Sequence, residues 1–124
     1  MTFQNLFFVF VGGGVGSVFR YLLSKNLSPL FNSPITGTFT VNILGSLLIG
    51  FLIGLESRNI IEKPMSFLLV TGFCGGLSTF STFSFETFEL LKQGFYFTAF
   101  LNVFLSVAVG LFAIFLMYKS AVQS

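Results

Sequence analysis

The stretch "GFCGGLSTFSTF", residues 72–83, decides how this chain is read. It lies inside a long apolar segment, yet it sets out three glycines and then interleaves hydroxyls with phenylalanines. A helix that only had to cross a bilayer would be built here from Leu, Ile and Val. Flexible backbone, polar groups and aromatic rings at the middle of such a segment imply a span with work to do in its interior.

Composition makes the segment a membrane span. The chain has 124 residues, 54% of them hydrophobic and 8% charged, whereas a soluble domain is about a quarter charged. So little polar surface cannot cover a sphere in water. There is no His, Asp or Trp, and the single Cys74 excludes an intrachain disulfide and any multi-Cys metal site. With no base to activate Cys74, the chain does not read as an enzyme. The net charge of +2 is spread over scattered basic residues, which gives nucleic acid nothing to bind. The start, "MTFQNLFFVF", lacks a basic n-region and a cleavage site, so it is expected to be mature sequence.

A membrane helix takes about 20 mostly apolar residues. Four segments qualify, at residues 3–23, 36–55, 65–91 and 95–117, separated by "SKNLSPLFNSP", "ESRNIIEKP" and "KQG". No segment remains for a second domain, so residues 1–124 read as a single four-helix transmembrane unit. Lys and Arg mark the cytoplasmic side of a span. Here the second linker and C-terminus carry Arg58, Lys63 and Lys119, while the opposite side carries Arg20, Lys25 and Lys92. That even split predicts insertion in both orientations, with opposite copies pairing as an antiparallel homodimer. Four helices also make a thin bundle, which a second copy would thicken.

Small residues recur at helical spacing. Gly12 and Gly16 form GxxxG with Arg20 next in step, Ser46, Gly50 and Gly54 follow Asn42, and Asn102, Ser106 and Gly110 repeat the pattern in the last span. Small residues let helices approach closely, and polar ones bond across the contact. Asn42, Asn102 and Arg20 are more than packing, because an intramembrane polar group is costly unless it is paired or wet. The third span, at residues 65–91, would run about 40 Å as a straight helix, longer than the ~30 Å hydrocarbon core. A break at Gly72, Gly75 and Gly76 would shorten it and free carbonyls able to hold a hard cation such as sodium. Beyond the break, Thr79, Thr82, Glu86 and Glu89 share one helical face, and Phe80 and Phe83 share another. Hydroxyls can replace the water around an anion, and the positive edges of phenyl rings can face one.

"GGGVGSVFRY" (residues 12–21), "GTFTVNILGS" (residues 37–46) and "GFCGGLSTFSTF" resemble the signature stretches of the Fluc/CrcB fluoride channels. The resemblance runs the length of the chain. It implies a fluoride-selective channel that exports the ion from the cytoplasm by passive electrodiffusion and protects against fluoride toxicity. It also implies a dual-topology dimer with two pores, a structural sodium ion, and a multi-pass position in a bacterial cytoplasmic (inner) membrane among its lipids. Carried over by position, Phe80 and Phe83 match the pore phenylalanines, Asn42 the pore asparagine and Ser106 a pore serine. Thr38, Ser81, Thr82 and Glu86 match polar pore-lining positions, and Arg20 a vestibule arginine. Gly75 and Ser78 match the positions whose backbone carbonyls hold sodium. Ser17 and Ser78 stand where Ala and Thr are expected in many members, and the change at Ser78 is a small one for a main-chain ligand. Two rivals fit less well. A small multidrug transporter needs a carboxylate in its first span, where this chain has Arg20. An assembly protein would not need Asn42 or the polar face of the third span.

Overall fold

The computed structural model describes residues 2–123, which form helices and short turns with no strand among them. Four helical stretches are long and apolar enough to cross a membrane. The first, α1 (Phe3–Phe31), starts on Thr2, whose hydroxyl accepts the Asn5 N–H. It runs through "SKNLSPLF", expected from sequence to be a linker, and ends at Asn32 in the left-handed region with φ 54°. The extension stays helical because it packs on the start of α2 (Pro34–Ser57). A Cβ on Gly37 would lie 2.7 Å from the Ser28 hydroxyl and 3.1 Å from the Ser24 Cα. The turn between α5 (Phe80–Lys92) and α6 (Tyr96–Gln123), by contrast, is the short one expected, with Gly94 at φ +85°.

The third span is composite. A short α3 (Lys63–Ser66) leads into a π-helical segment, Phe67–Cys74, whose wider register is seen where the Gly75 N–H bonds the Val70 carbonyl. One α turn, α4 (Gly75–Leu77), follows. The chain then leaves the helix at Ser78 and Thr79, both extended, and restarts as α5 (Phe80–Lys92). The break expected at the glycines therefore falls just after them. The glycines stay helical because they serve a different need, which is close approach to α1. A Cβ on Gly12 would fall on the Leu68 carbonyl and 2.9 Å from the Phe73 nitrogen. One on Gly72 would sit 3.0 Å from the Gly12 Cα, and one on Gly76 would meet the Gly13 backbone. Backbone faces backbone on both sides, so no side chain fits.

The same logic joins α2 to α6. A Cβ on Gly50 would come within 2.6 Å of the Ile114 carbonyl, and one on Gly54 within 2.6 Å of the Ala121 Cβ. The apolar core is accordingly small, with Val41, Leu52, Cys74, Leu77, Ala99, Ala113 and Ala121 as its buried members. The large side chains, among them Phe3, Phe10, Phe97 and Phe112, point outward. This arrangement suits a lipid solvent, in which helices associate through close packing and polar contacts rather than by hiding apolar bulk. At one end, Glu56 pairs with Lys63 and accepts from the Ser66 hydroxyl at 2.7 Å, while Arg58 reaches the Ala121 carbonyl at 2.9 Å. These contacts tie the second linker to the start of the third span and the end of α6.

Candidate functional site

The break is made by side chains that intercept main-chain hydrogen bonds. In an unbroken helix the Thr79 N–H would close on the Gly75 carbonyl, and the Thr82 N–H on the Ser78 carbonyl. The Thr79 N–H instead bonds the Asn42 amide oxygen at 2.8 Å. The Thr82 N–H turns to the Thr79 hydroxyl at 3.3 Å, which is the N-cap of α5. Asn42 then donates its own NH2 to the Thr79 carbonyl at 3.2 Å. One carboxamide thus pairs with both polar groups of one backbone residue, as a neighbouring strand would. The carbonyls of Gly75 and Ser78, expected to hold a cation, are left outside the helical ladder. Their oxygen-only chemistry suits a hard ion. Among the described residues no cluster of His, Cys, Asp or Glu offers an alternative.

Two clefts meet at Thr79. One, of about 290 Å³, is lined by Asn42, Ser78, Phe80, Phe83 and Ser106, all expected from sequence, together with Ser46. The rings of Phe80 and Phe83 are 6.0 Å apart and tilted by 44°. Phe80 is 79% exposed on the surface of the single chain. Beside them the Ser106 hydroxyl is buried with no protein partner. The other cleft, of about 320 Å³, is lined by Arg20, Thr38, Thr82 and Glu86, again as expected, with Ser24 and Ser28. Thr38 is buried and donates to Glu86 Oε2 at 2.9 Å, while Glu86 Oε1 is buried without a partner. Ser81 lines neither cleft; its exposed hydroxyl lies 3.3 Å from that of Thr79. Gly75 also lines neither. Glu89, placed from sequence on the polar face, pairs with Lys92 at 3.1 Å instead.

Sequence reasoning placed Thr79 on the polar face of the third span without seeing it as a cap, and missed Ser24 and Ser28. Thr79 touches both clefts, and its signal was the N-cap preference for a hydroxyl just before a helix. Ser24 and Ser28 continue the fourfold spacing of Gly12, Gly16 and Arg20. They escaped notice only because α1 was expected to end before them. Together the two clefts offer a hydroxyl donor with no partner, a guanidinium, one remaining carboxamide hydrogen on Asn42 and phenyl edges, with the Glu86 carboxyl beside the guanidinium. That set is suited to stripping water from a small anion.

The family described as "CrcB-like protein, Camphor Resistance (CrcB)" matches residues 7–118. A protein of Pyrococcus furiosus named "Fluoride-specific ion channel FluC" is 47% identical over 117 residues, covering 94% of each chain. A Bacteroides fragilis protein of the same name is 45% identical over 116 residues, covering 90% of this chain and 91% of its own. One from Escherichia coli, also of that name, is 47% identical over 111 residues, covering 89% of this chain and 87% of its own.

Proposed function

The chain belongs to the CrcB family, and from that premise we propose that it is a fluoride-selective channel through which fluoride leaves the cytoplasm down its electrochemical gradient. The observation that carries this reading is the Ser106 hydroxyl, buried beside Phe80 and Phe83 with no protein acceptor or donor of its own. Fluoride is small and strongly hydrated. A path for it must replace that water with donors yet bind weakly enough to let go. Hydroxyls and carboxamide hydrogens supply the first property. Phenyl edges, which attract an anion only through a quadrupole, supply the second. Arg20 at the neighbouring cleft draws anions toward the entrance.

The working unit is an antiparallel dimer inserted in both orientations in the cytoplasmic membrane. Two features support this: the even division of Lys and Arg between the two sides, and the exposure of Phe80, a ring assigned to the path, on the surface of one chain. The released carbonyls of Gly75 and Ser78 would hold a structural sodium ion. One chain gives it two oxygens, and a second copy related by a twofold axis would double them.

The test is ion efflux from liposomes containing the purified protein, with fluoride and chloride compared. Fluoride should leave quickly while chloride is retained. Replacing Phe80 or Phe83 with Leu, which keeps bulk and removes the quadrupole, should cut the fluoride flux with the protein still well folded by size exclusion. Equal passage of both anions, or wild-type flux in both variants, would overturn the reading.

A further inference from the structure

We propose that Asn102 and Thr87 form a positioning pair that holds Phe83 at its working angle in the ion path, a role that rests on the reading of Phe83 as a wall of that path. α5 carries both pore rings, yet none of its residues is buried in the chain. Apolar packing within the chain, limited to half-buried side chains such as Phe83 and Leu90, therefore holds the rotation of α5 about its own axis only weakly. Polar links do the rest. Asn42 braces its start through Thr79, and Thr38 of α2 holds Glu86. The remaining link reaches Phe83 itself. The Thr87 hydroxyl donates to the Phe83 carbonyl at 2.8 Å, and Asn102 of α6 donates to that same hydroxyl at 2.9 Å.

The direction of this chain of bonds is forced. A carbonyl can only accept, so Thr87 spends its one hydrogen on Phe83 and presents lone pairs to α6. Only a donor can answer them, and Asn102 brings its NH2. A threonine bonding back to the carbonyl one turn earlier is common in helices and often bends them. What is particular here is that the hydroxyl is gripped from a second helix by a side chain only 8% exposed. A carboxamide in a membrane span is costly unless it is paired, and this pairing ends on the backbone of a residue in the path. Asn102 lines neither cleft. Its influence on the ion is therefore indirect, exerted through the carbonyl of Phe83 and the bend of α5.

The experiment compares Asn102→Leu, Thr87→Val, the double variant and Thr87→Ser, each in liposomes at matched amounts of protein passing size exclusion. Both single variants should lower fluoride flux by about threefold to tenfold, the factor a single neutral hydrogen bond is worth. They should also lower the fluoride-to-chloride ratio, which a loss of stability alone would leave unchanged. The double variant should be no worse than the poorer single one, because the two residues act as one link. Thr87→Ser, which keeps the hydroxyl, should restore both flux and ratio. Asn102→Leu impaired with Thr87→Val normal would make Asn102 a direct ligand and overturn the proposal, as would additive losses or an unchanged ratio. Phe83→Leu, run in parallel, separates the two levels. Wild-type flux there would mean that the pore reading of the ring had failed, whereas a loss there with normal Asn102→Leu and Thr87→Val would mean that only the positioning pair had.

Discussion

Asn42 carries two assignments at once, and they can be told apart. Sequence marked it as a functional candidate, because a carboxamide inside a span needs a reason, and the family resemblance implied a place in the pore. The structure gives that side chain a prior engagement, with one oxygen and one hydrogen committed to the Thr79 backbone. One further amide hydrogen remains for an ion. A main-chain partner cannot be read from sequence, since every residue has one, and so the brace was hidden while the residue was not. Asn42→Leu should remove two hydrogen bonds worth about 1 kcal/mol each and strand the Thr79 N–H at a further cost of about 1–3 kcal/mol. Unfolding in detergent without fluoride is the informative measurement. A residue that served only the ion would leave stability unchanged when the ion is absent, whereas the brace predicts a variant less stable by about 3–5 kcal/mol. Wild-type stability in fluoride-free solution would remove the brace from the account.

At the scale of elements, the four spans were legible because an apolar run of membrane length has few other uses. A third span interrupted near residues 72–83 was legible too, from length and from glycine. The position of the break was not. Glycine permits both an irregular backbone and a close helix contact, and nothing within one segment says which is in use. The clue lay in the pairing of segments: Gly72 and Gly76 repeat the spacing of Gly12 and Gly16, and Gly12 packs on Gly72 while Gly76 packs on Gly13 and Gly16 on the backbone of Phe73 and Leu77. This contact separates glycines that look alike in sequence. Gly12 and Gly14 are neighbours in "GGGVGS", but a Cβ on Gly14 would meet nothing within 4 Å. Gly12→Leu should therefore force α1 from the third span, at about 3 kcal/mol or more from overpacking against rigid backbone. Gly14→Leu should be tolerated, since its side chain enters open space. Monodisperse yield and melting temperature of the two variants give the answer. Similar behaviour in both would mean that the glycine contact does not hold the bundle together.

For the whole molecule, the proposed dimer would make one chain the bearer of half a site. The ring of Phe80 stands in the open, and the carbonyls of Gly75 and Ser78 are released on a turn where a Cβ at Gly75 would meet nothing within 4 Å. Within a single chain, then, Gly75 has no steric reason to be glycine, since its φ of −63° suits any residue. The dimer proposed above, with a second copy packed against this turn and a sodium ion between the paired carbonyls, would give it one. Gly75→Leu should consequently insert and fold as a four-span chain but lose the dimer and the fluoride flux together. Ser78→Ala should keep both, because it changes only a side chain that bonds back to the Cys74 carbonyl at 3.1 Å and leaves the Ser78 carbonyl in place. Crosslinking in membranes reads the dimer, and a C-terminal tag labelled from each side reads the orientation. The even charge split predicts two tag populations in the wild type and in Gly75→Leu alike, because insertion precedes pairing. Exchanging sodium for a large organic cation should weaken the wild-type dimer and have no dimer left to act on in Gly75→Leu. A Gly75→Leu protein that still crosslinks as a dimer and still conducts fluoride would place the missing half of the site elsewhere. A single tag orientation in the wild type would rule out an antiparallel pair altogether.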